Sequence, residues 1–467
     1  MSTIASVNPA TEAVLARFDT HSARDMEAGL ADADTAFRRW REIPIADRGV
    51  PMRALARILR ERKERYGRLI TLEMGKPITE AKAEIEKCAL NCDFYAEHGE
   101  GFLRDEPIST NARESFVAFE PLGVILAVMP WNYPFWQVVR FLAPAFMAGN
   151  AALLKHASNV PQCALAIEEA VRDAGFPAGL LRALLVPGGA IEPVIADDRV
   201  RAVTLTGSTV TGSRIAELAG RAVKKAVLEL GGSDPFIVLR DADIQAAAGT
   251  AVRARYQNAG QSCIAAKRFL VEAPVAADFE RRFADGIRAL RVGDPLDPAT
   301  QVGPLARADL RDALEQQVAD SVRMGARVVV GGARCEGKGW FYQPTLLADV
   351  TEDMPVLKEE TFGPVAALLS VRDPEEAVRV ANSSPYGLGA ALWTRNDATA
   401  KALARRIESG SVFINGMVAS DPRLPFGGVK KSGYGRELSG FGIREFVNIQ
   451  TIWMGPAKVA AKVANAE

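Results

Sequence analysis

The sequence predicts an α/β protein of two or three domains, built on parallel sheets that are covered by helices. The chain has 467 residues, which is too many for one compact core. From Gly123 to Gly232, and again from about Pro235 to Gly428, short apolar strands alternate with amphipathic helices. Strands that are apolar along their whole length are typical of parallel sheets buried on both faces.

The elements follow from local patterns. Residues 24–100 are predicted to be helical, because "MRALARILRERKERYGRLITLEMG" repeats apolar residues at intervals of three and four. In "SFVAFEPLGVILAVMP", two strands flank a turn at 121–123. The last stretch, "FVNIQTIWMG", alternates as a strand does and is predicted to pair with the segment near 104–120 or with another subunit.

In the first α/β region, strand–helix pairs run from "GVILAVMPWN" and "FWQVVRFLAPAFMAG" to "KKAVLELGG". Ligands of such sheets bind at the carboxyl ends of the strands. The segments "PWN", "KHAS", "TGS" and "ELGG" fall at those ends and are therefore candidate site segments.

The composition excludes several classes of protein. Lysine plus arginine and aspartate plus glutamate both number 57, so no net charge favours nucleic acid or an anionic membrane. No apolar run reaches the roughly 18–20 residues of a membrane helix, and no secretory signal pattern begins the sequence. The five scattered cysteines suggest neither a disulfide framework nor a metal site. We therefore expect a cytoplasmic protein without a metal.

Cys263, in "YQNAGQSCIAAKRF", follows a glycine-containing segment between a predicted helix and a strand. A thiol could be presented there, although a free cysteine is more often a buried small residue. His21, His98 and His156 lie in no motif that would pair a base with the thiol. A nucleophilic Cys263 would need another base, and a carboxylate can serve.

Two more polar residues end predicted strands. Glu229 closes the apolar strand of "VLELGGSDP", where burial would raise the pKa of its carboxyl group and suit it to proton transfer. A glutamate that faces solvent is the alternative. Asn132 of "MPWNYPFWQVVR" could donate a hydrogen bond to a developing oxyanion, or could simply form a turn.

The cofactor signals are weaker. The Gly-x-Gly-x-x-Gly motif is absent, but Gly207 and Gly212 of "LTGSTVTGSRIAEL" lie at a strand-to-helix turn, whose free N–H groups suit a pyrophosphate. The lysine and serine of "LLKHAS", Lys155 and Ser158, suit ribose and phosphate oxygens.

Seven segments, taken together and in this order, resemble the aldehyde dehydrogenase superfamily over nearly the whole chain: "PWNYP", "LLKHAS", "TGSTVTG", "ELGGSDP", "NAGQSC", "EETFGP" and "PFGGVKKSG". Within that superfamily the chain is similar to bacterial succinate-semialdehyde dehydrogenases, through "LLKHASNV" and "YQNAGQSCIAAKRF". The resemblance implies a Rossmann-type cofactor domain (1–100 and 122–231), an α/β catalytic domain (232–431) and a small β oligomerisation element (101–121 and 447–456).

The resemblance also implies a mechanism. The Cys263 thiolate would attack the aldehyde, and the Asn132 amide with the Cys263 backbone N–H would hold the oxyanion of the thiohemiacetal. Hydride would pass to the nicotinamide, and Glu229 would activate the water that hydrolyses the thioester. The positively charged nicotinamide would help to lower the thiol pKa where no histidine can. The implied dinucleotide site comprises Trp131, Lys155, Gly207, Ser208, and Glu360 with Phe362 of "EETFGP" on the nicotinamide side.

NADP is the expected cofactor, with NAD possible. In NAD-preferring relatives a glutamate often stands where this chain has Ser158, and a neutral hydroxyl near Lys155 tolerates the 2′-phosphate. Arg140 matches an arginine that binds the substrate carboxylate in succinate-semialdehyde dehydrogenases, with a surface salt bridge as the alternative. Trp136 and Ser420 are further candidate pocket residues. Some relatives have a second arginine where this chain has Gln257, so a single cationic anchor and looser specificity are expected.

Other functions stay open at this point. The chain could act on short-chain aldehydes broadly, or transfer the acyl group to coenzyme A, although Glu229 argues against the latter. A non-catalytic binding protein or a thiol redox sensor on the same fold is the alternative of another class. A homodimer or homotetramer is expected.

Overall fold

The computed structural model describes residues 3–456. The chain begins with an antiparallel pair of strands and a helical layer: β1 (Thr3–Val7), β2 (Val14–Asp19), α1 (Ala23–Trp40), α2 (Ile45–Glu61), α3 (Lys63–Met74) and α4 (Ile78–Phe102). The helices agree with the periodicity of residues 24–100, whereas the strand pair was not predicted. In this described range no helix is long and apolar enough to cross a membrane.

The next part of the chain alternates strands and helices: β3 (Glu106–Pro107), β4 (Ala112–Pro121), β5 (Val124–Met129), α5 (Trp136–Met147), β6 (Ala151–His156), α6 (Pro161–Asp173), β7 (Leu181–Ala183), α7 (Glu192–Ala196), β8 (Val200–Thr206), α8 (Thr209–Arg221) and β9 (Lys225–Glu229). Strands β9, β8, β5, β6 and β7 lie side by side in that order and run parallel. Every residue of β5 and β6 is buried, as strands covered by helices on both faces require.

A second alternation follows: β10 (Asp234–Val238), α9 (Ile244–Tyr256), β11 (Ala266–Glu272), α10 (Ala273–Arg288), α11 (Ala308–Arg323), β12 (Arg327–Val330), β13 (Thr345–Ala348), α12 (Pro355–Lys358), β14 (Val365–Val371), α13 (Pro374–Asn382), β15 (Tyr386–Gly387), β16 (Gly389–Trp393), α14 (Asp397–Ala404) and β17 (Ser411–Ile414). The second sheet has the order β12-β13-β14-β11-β10-β16-β17, and its pairs are parallel apart from β12 with β13. The predicted α/β class is therefore confirmed.

The final elements connect distant parts of the chain: β18 (Val429–Lys430), β19 (Gly433–Tyr434), α15 (Ser439–Ile443) and β20 (Val447–Pro456). Strand β20 pairs antiparallel with β4, which confirms the first of the two pairings predicted for "FVNIQTIWMG". Strand β19 joins the first sheet beside β9, with Gly433 opposite Glu229. The three domain ranges, of which the first begins at residues outside those described, stay a prediction.

We expect Gly433→Ala to destabilise the fold. Gly433 has φ +113°, and a Cβ there would overlap the carbonyl oxygen of Leu228. Such a backbone conformation alone costs a non-glycine residue about 1–3 kcal/mol. The midpoint of thermal unfolding should fall. Gly101→Ala is the matched control, because Gly101 lies in α4 and, apart from its chain neighbours and the backbone of its own helix, no atom of residues 3–456 lies within 4 Å of the added methyl group. An equal midpoint for the two variants would contradict the argument.

Candidate active site

Cys263 lies in a turn between α9 and β11 whose backbone is unusual. Three consecutive residues before it adopt positive φ angles: Asn258 (55°), Ala259 (52°) and Gly260 (72°). Conformations of this kind persist only where surrounding contacts impose them. One such contact comes from α4, where the Glu80 carboxylate accepts the Asn258 backbone N–H at 2.7 Å.

A buried lysine holds the other side of the turn. The Lys267 ammonium donates to the carbonyl oxygens of Ser262 (2.9 Å), Cys263 (2.8 Å) and Ala265 (3.2 Å). The glycine after Glu229 and Leu230 also matters, because a Cβ on Gly231 would lie 2.5 Å from a Glu360 carboxylate oxygen. Next to it, a Cβ on Gly232 would lie 2.5 Å from the Cys263 carbonyl oxygen. The two glycines of "ELGG" thus let the cysteine turn and a carboxylate approach the strand end.

Asn132 lies at the carboxyl end of β5 and is buried. Its side-chain amide donates to the Gln261 backbone carbonyl oxygen at 3.0 Å. The backbone carbonyl oxygen of Asn132 accepts from the Asn258 side-chain amide at 2.9 Å. One amide hydrogen of Asn132 is used in this way, and the other can still be donated. The loop after β5, which carries Asn132, and the turn that carries Cys263 are therefore joined by hydrogen bonds.

Two cavities meet at Cys263, which lines both of them. The first, here called the α8 cavity, has a volume of about 450 Å³ and lies against the start of α8. The second, here called the α4 cavity, has about 180 Å³ and lies against the middle of α4. A half-buried thiol at the junction can reach a ligand in either cavity.

The α8 cavity brings together most of the predicted cofactor residues: Trp131, Lys155, Gly207, Ser208, Glu360 and Phe362. Gly207 precedes the start of α8, where Ser208 caps the helix. The rings of Trp131 and Phe362 pack edge to face, 5.7 Å apart. Ser158 is exposed, directly after the lining residue Ala157.

The chemistry of the α8 cavity fits a nicotinamide dinucleotide. Helix α8 presents free N–H groups that suit a pyrophosphate. Lys155 provides a cation for phosphate oxygens, and its pKa is lowered by burial, so that a bound anion would stabilise its charge. The Glu360 carboxylate can accept ribose hydroxyl groups while it also accepts the Gly232 N–H at 3.0 Å.

The α4 cavity brings together the predicted pocket residues Trp136, Arg140 and Ser420, with Gln257. Arg140 is buried, so the alternative of a salt bridge at the surface is wrong. It forms an ion pair with Glu437, donates to the Thr206 hydroxyl at 3.3 Å and lies over the Phe426 ring.

A second cation lines the α4 cavity. Lys87 donates to the Ser420 hydroxyl at 2.6 Å and its ammonium lies 4.3 Å from the centre of the Trp136 ring. The cavity thus contains two cations, whereas the sequence suggested Arg140 alone, and which of them anchors a substrate stays a prediction. Lys87 was missed because an amphipathic helix pattern shows which face is buried but not which distant loop that face meets.

Glu229 ends β9 and is buried, so the solvent-facing alternative is wrong. Neither carboxyl oxygen has a hydrogen-bond partner among residues 3–456, and Glu229 is not among the described residues that line the two cavities. A Cβ on Gly427, which has φ +155°, would lie 2.8 Å from one of these oxygens. Burial is the largest cause that raises the pKa of Glu229. The negative charge of Glu437 raises it further, while the positive charge of Arg140 lowers it.

The Cys263 thiol is protonated at neutral pH in the cofactor-free protein. Burial raises its pKa to about 12, while Lys267 and Arg140 act to lower it. His156 cannot serve as its base, since Nδ1 accepts the Ala157 N–H and Nε2 donates to the Pro134 carbonyl. His156 is thus excluded as the base, and a bound ligand or a carboxylate can supply the activation.

Comparison with known proteins agrees with the resemblance seen in the sequence. A model of the "Aldehyde dehydrogenase family" matches residues 1–452. The chain is 52% identical over 451 residues to a Synechocystis protein named "Probable succinate-semialdehyde dehydrogenase [NADP(+)]", covering 97% of this chain and 99% of that protein. It is 49% identical over 448 residues to "Succinate semialdehyde dehydrogenase [NAD(P)+] Sad" of Escherichia coli, covering 96% and 97%. A crystal structure of succinic semialdehyde dehydrogenase from Streptococcus pyogenes in complex with NADP+ matches with a TM-score of 0.95 at 40% identity, covering 97% of this chain and 100% of that chain.

We expect iodoacetamide to modify Cys263 of the cofactor-free protein slowly at pH 7. The rate should rise about tenfold per pH unit up to pH 10, because the thiolate fraction grows in that proportion below the pKa. Mass spectrometry of the Cys263 peptide measures the rate, with Cys263→Ala as the blank. A plateau below pH 9 would contradict the raised pKa.

Proposed function

Because the chain belongs to the aldehyde dehydrogenase family, we propose that it oxidises an aldehyde to a carboxylic acid with NADP as its cofactor. The observation that carries the proposal is that Cys263 lines both the α8 cavity and the α4 cavity. A thiol at that junction can bind an aldehyde carbon on one side and hold it next to a cofactor on the other. The names of the relatives support succinate semialdehyde as the substrate and NADP as the cofactor.

Cys263 is the nucleophile in this proposal. Its thiolate adds to the aldehyde carbon, and the carbonyl oxygen becomes an oxyanion. The free amide hydrogen of Asn132 and the backbone N–H of Cys263 donate to that oxygen. The bonds between the two loops fix the first donor in advance, and the Lys267 contacts with the Ser262 and Cys263 carbonyl groups fix the second. Fixed donors require no reorganisation as charge develops.

Glu229 is the base that activates water for hydrolysis of the thioester. In the cofactor-free protein burial raises its pKa well above that of a free carboxyl group, which favours the protonated form. It gains its basic form as pH rises. Its carboxyl oxygens have no hydrogen-bond partner in the described part of the chain, so they are available to hold a water molecule or to turn towards Cys263.

The remaining roles concern binding. When bound, the nicotinamide cofactor supplies a hydride acceptor and a positive charge that favours the thiolate. Lys155 and the start of α8 would hold its phosphates, with Glu360 on a ribose. The exposed hydroxyl of Ser158, three residues after Lys155, carries no charge and therefore does not repel the 2′-phosphate of NADP. Broader activity on short aldehydes is the second candidate, since neutral residues line part of the α4 cavity.

An oligomer built through β4 and β20 also belongs to the proposal. Strand β20 lies at the edge of its sheet and carries the exposed apolar side chains Ile449 and Trp453. Edge strands with exposed apolar residues are prone to pair with a second chain. A homodimer or homotetramer would cover this surface.

The proposed chemistry is tested by Cys263→Ala and Glu229→Gln. With NADP and succinate semialdehyde, and no coenzyme A, the wild-type protein should produce reduced cofactor. Cys263→Ala should lose this activity. Glu229→Gln should release about one equivalent of reduced cofactor per subunit and then turn over at least about 100-fold more slowly, because hydrolysis loses its base. Rapid absorbance measurement of reduced nicotinamide follows both phases. A Glu229→Gln variant with wild-type turnover would remove Glu229 from the mechanism.

Ser158→Glu should shift cofactor use from NADP towards NAD. A carboxylate at this position repels the 2′-phosphate and can accept the ribose 2′-hydroxyl. The ratio of kcat/KM for NADP to that for NAD should fall at least about tenfold. Asn159→Asp is the matched control, since it adds the same charge one residue away. An equal change in both variants would mean that overall charge, not position 158, sets the ratio.

A further inference from the structure

We propose that Lys87, and not Arg140 alone, binds the carboxylate of the aldehyde substrate in the α4 cavity, and so determines the preference for an aldehyde that carries an acid. The inference rests on the proposed function. It assigns a specificity-determining role to a helix residue that the sequence motifs did not single out.

The charge of Arg140 is already compensated. Its guanidinium forms a buried ion pair with Glu437, and its other contacts are the Thr206 hydroxyl and the Phe426 ring. A substrate carboxylate at Arg140 would have to share the cation with a buried carboxylate nearby. Like charges at close range in a buried site repel strongly.

Lys87, in contrast, has no carboxylate partner within ion-pair distance among residues 3–456. The acids near it are engaged elsewhere. Glu84 pairs with Lys76 and accepts the N–H groups of Phe135 and Trp136, and Asp421 pairs with Arg423 at 2.6 Å. A lysine held among such neighbours carries a charge that a ligand can neutralise.

The position of Lys87 suits this role. Glu80, Glu84 and Lys87 follow one another at intervals of four and three, so one face of α4 lines the cavity. Cys263 lines the same cavity. Lys87 and the Ser420 hydroxyl, 2.6 Å apart, form a paired donor site for one carboxylate. An aldehyde with a terminal carboxylate could then present its carbonyl to Cys263 and its acid to Lys87.

The electrostatics of the cavity agree with the geometry. Burial and the positive charge of Arg140 lower the pKa of Lys87 to about 8, against the opposite effects of Cys88, Glu84 and Asp421. Lys87 is therefore mostly charged at pH 7, and a bound carboxylate would stabilise that charge and raise the pKa. Above pH 8 the free protein loses the cation and should bind an acidic substrate less well.

The experiment compares succinate semialdehyde with butanal, its uncharged four-carbon counterpart, in wild type, Lys87→Met and Lys87→Arg. In Lys87→Met, the ratio of kcat/KM for succinate semialdehyde to that for butanal should fall at least about tenfold, through a higher KM for the acid. Lys87→Arg should recover part of the ratio. Lys82→Met is the matched control, because Lys82 lies on the same helix and pairs with Glu64 at 2.6 Å.

The pH profile gives a readout that a merely structural role would not change. In wild type, the same ratio should decline as pH rises through about 8. Glu80 lines the same cavity, and burial raises its pKa to about 7, so its ionisation also lowers the ratio, at a lower pH and in both variants. The decline through about 8 should be absent in Lys87→Met, since ionisation of Cys263 and Glu229 affects both substrates and cancels in the ratio. An unchanged ratio and an unchanged profile in Lys87→Met would overturn the proposal and leave the proposed function intact.

Succinate provides a test that needs no turnover. Succinate should slow the modification of Cys263 by iodoacetamide in wild type, and about tenfold less effectively in Lys87→Met. If the wild-type protein oxidised no aldehyde, the proposed function would fail, and protection by succinate would still decide whether Lys87 binds a carboxylate. Should Lys87→Met fail to fold, as judged by circular dichroism, Lys87→Gln takes its place with the same expected results.

Discussion

The ion pair of Lys76 with Glu84, buried in the helical layer, is the interaction on which the site depends. Glu84 at the same time accepts the backbone N–H groups of Phe135 and Trp136, each at 2.9 Å, where α5 begins. Removing one partner of such a pair costs about 3–5 kcal/mol, because a charge is left buried without compensation. This carboxylate therefore fixes the loop that carries Asn132, although α4 belongs to neither sheet.

The cysteine turn is held by the same helix. Glu80 lies one helical turn before Glu84 and accepts the Asn258 N–H, at a residue with positive φ. On the other side of the thiol, the Lys267 ammonium donates hydrogen bonds to the backbone carbonyl groups of the turn. The positive φ angles would be unfavourable in an isolated peptide, and these contacts make them the stable conformation. The positions of thiol and amide are consequently a property of the helical layer as much as of the sheets that present them.

The fold and part of the site follow from local sequence, and the remainder depends on contacts between distant residues. Apolar strands predicted the sheets, whereas β1 and β2 were missed because their residues are half exposed and alternate only briefly. Glu229 and Asn132 were found because each ends an apolar strand, where a polar residue stands out. No pattern linked Lys87 to Ser420, or Arg140 to Glu437, since their proximity arises only once helices and loops pack together.

A common property of the site is that burial shifts the pKa of its ionisable groups towards their neutral forms before ligands bind. Burial raises the pKa values of Cys263, Glu229 and Glu360 and lowers those of Lys155 and Lys87. Each group thus costs less to bury in the resting protein and becomes charged most readily beside an opposite charge that a ligand supplies. An anion in the α8 cavity would stabilise the charge of Lys155, and a carboxylate in the α4 cavity that of Lys87. Since the two cavities meet at Cys263, ligands that fill both stabilise charged groups on either side of the thiol, and the charge pattern around it is completed only in the complex with both ligands.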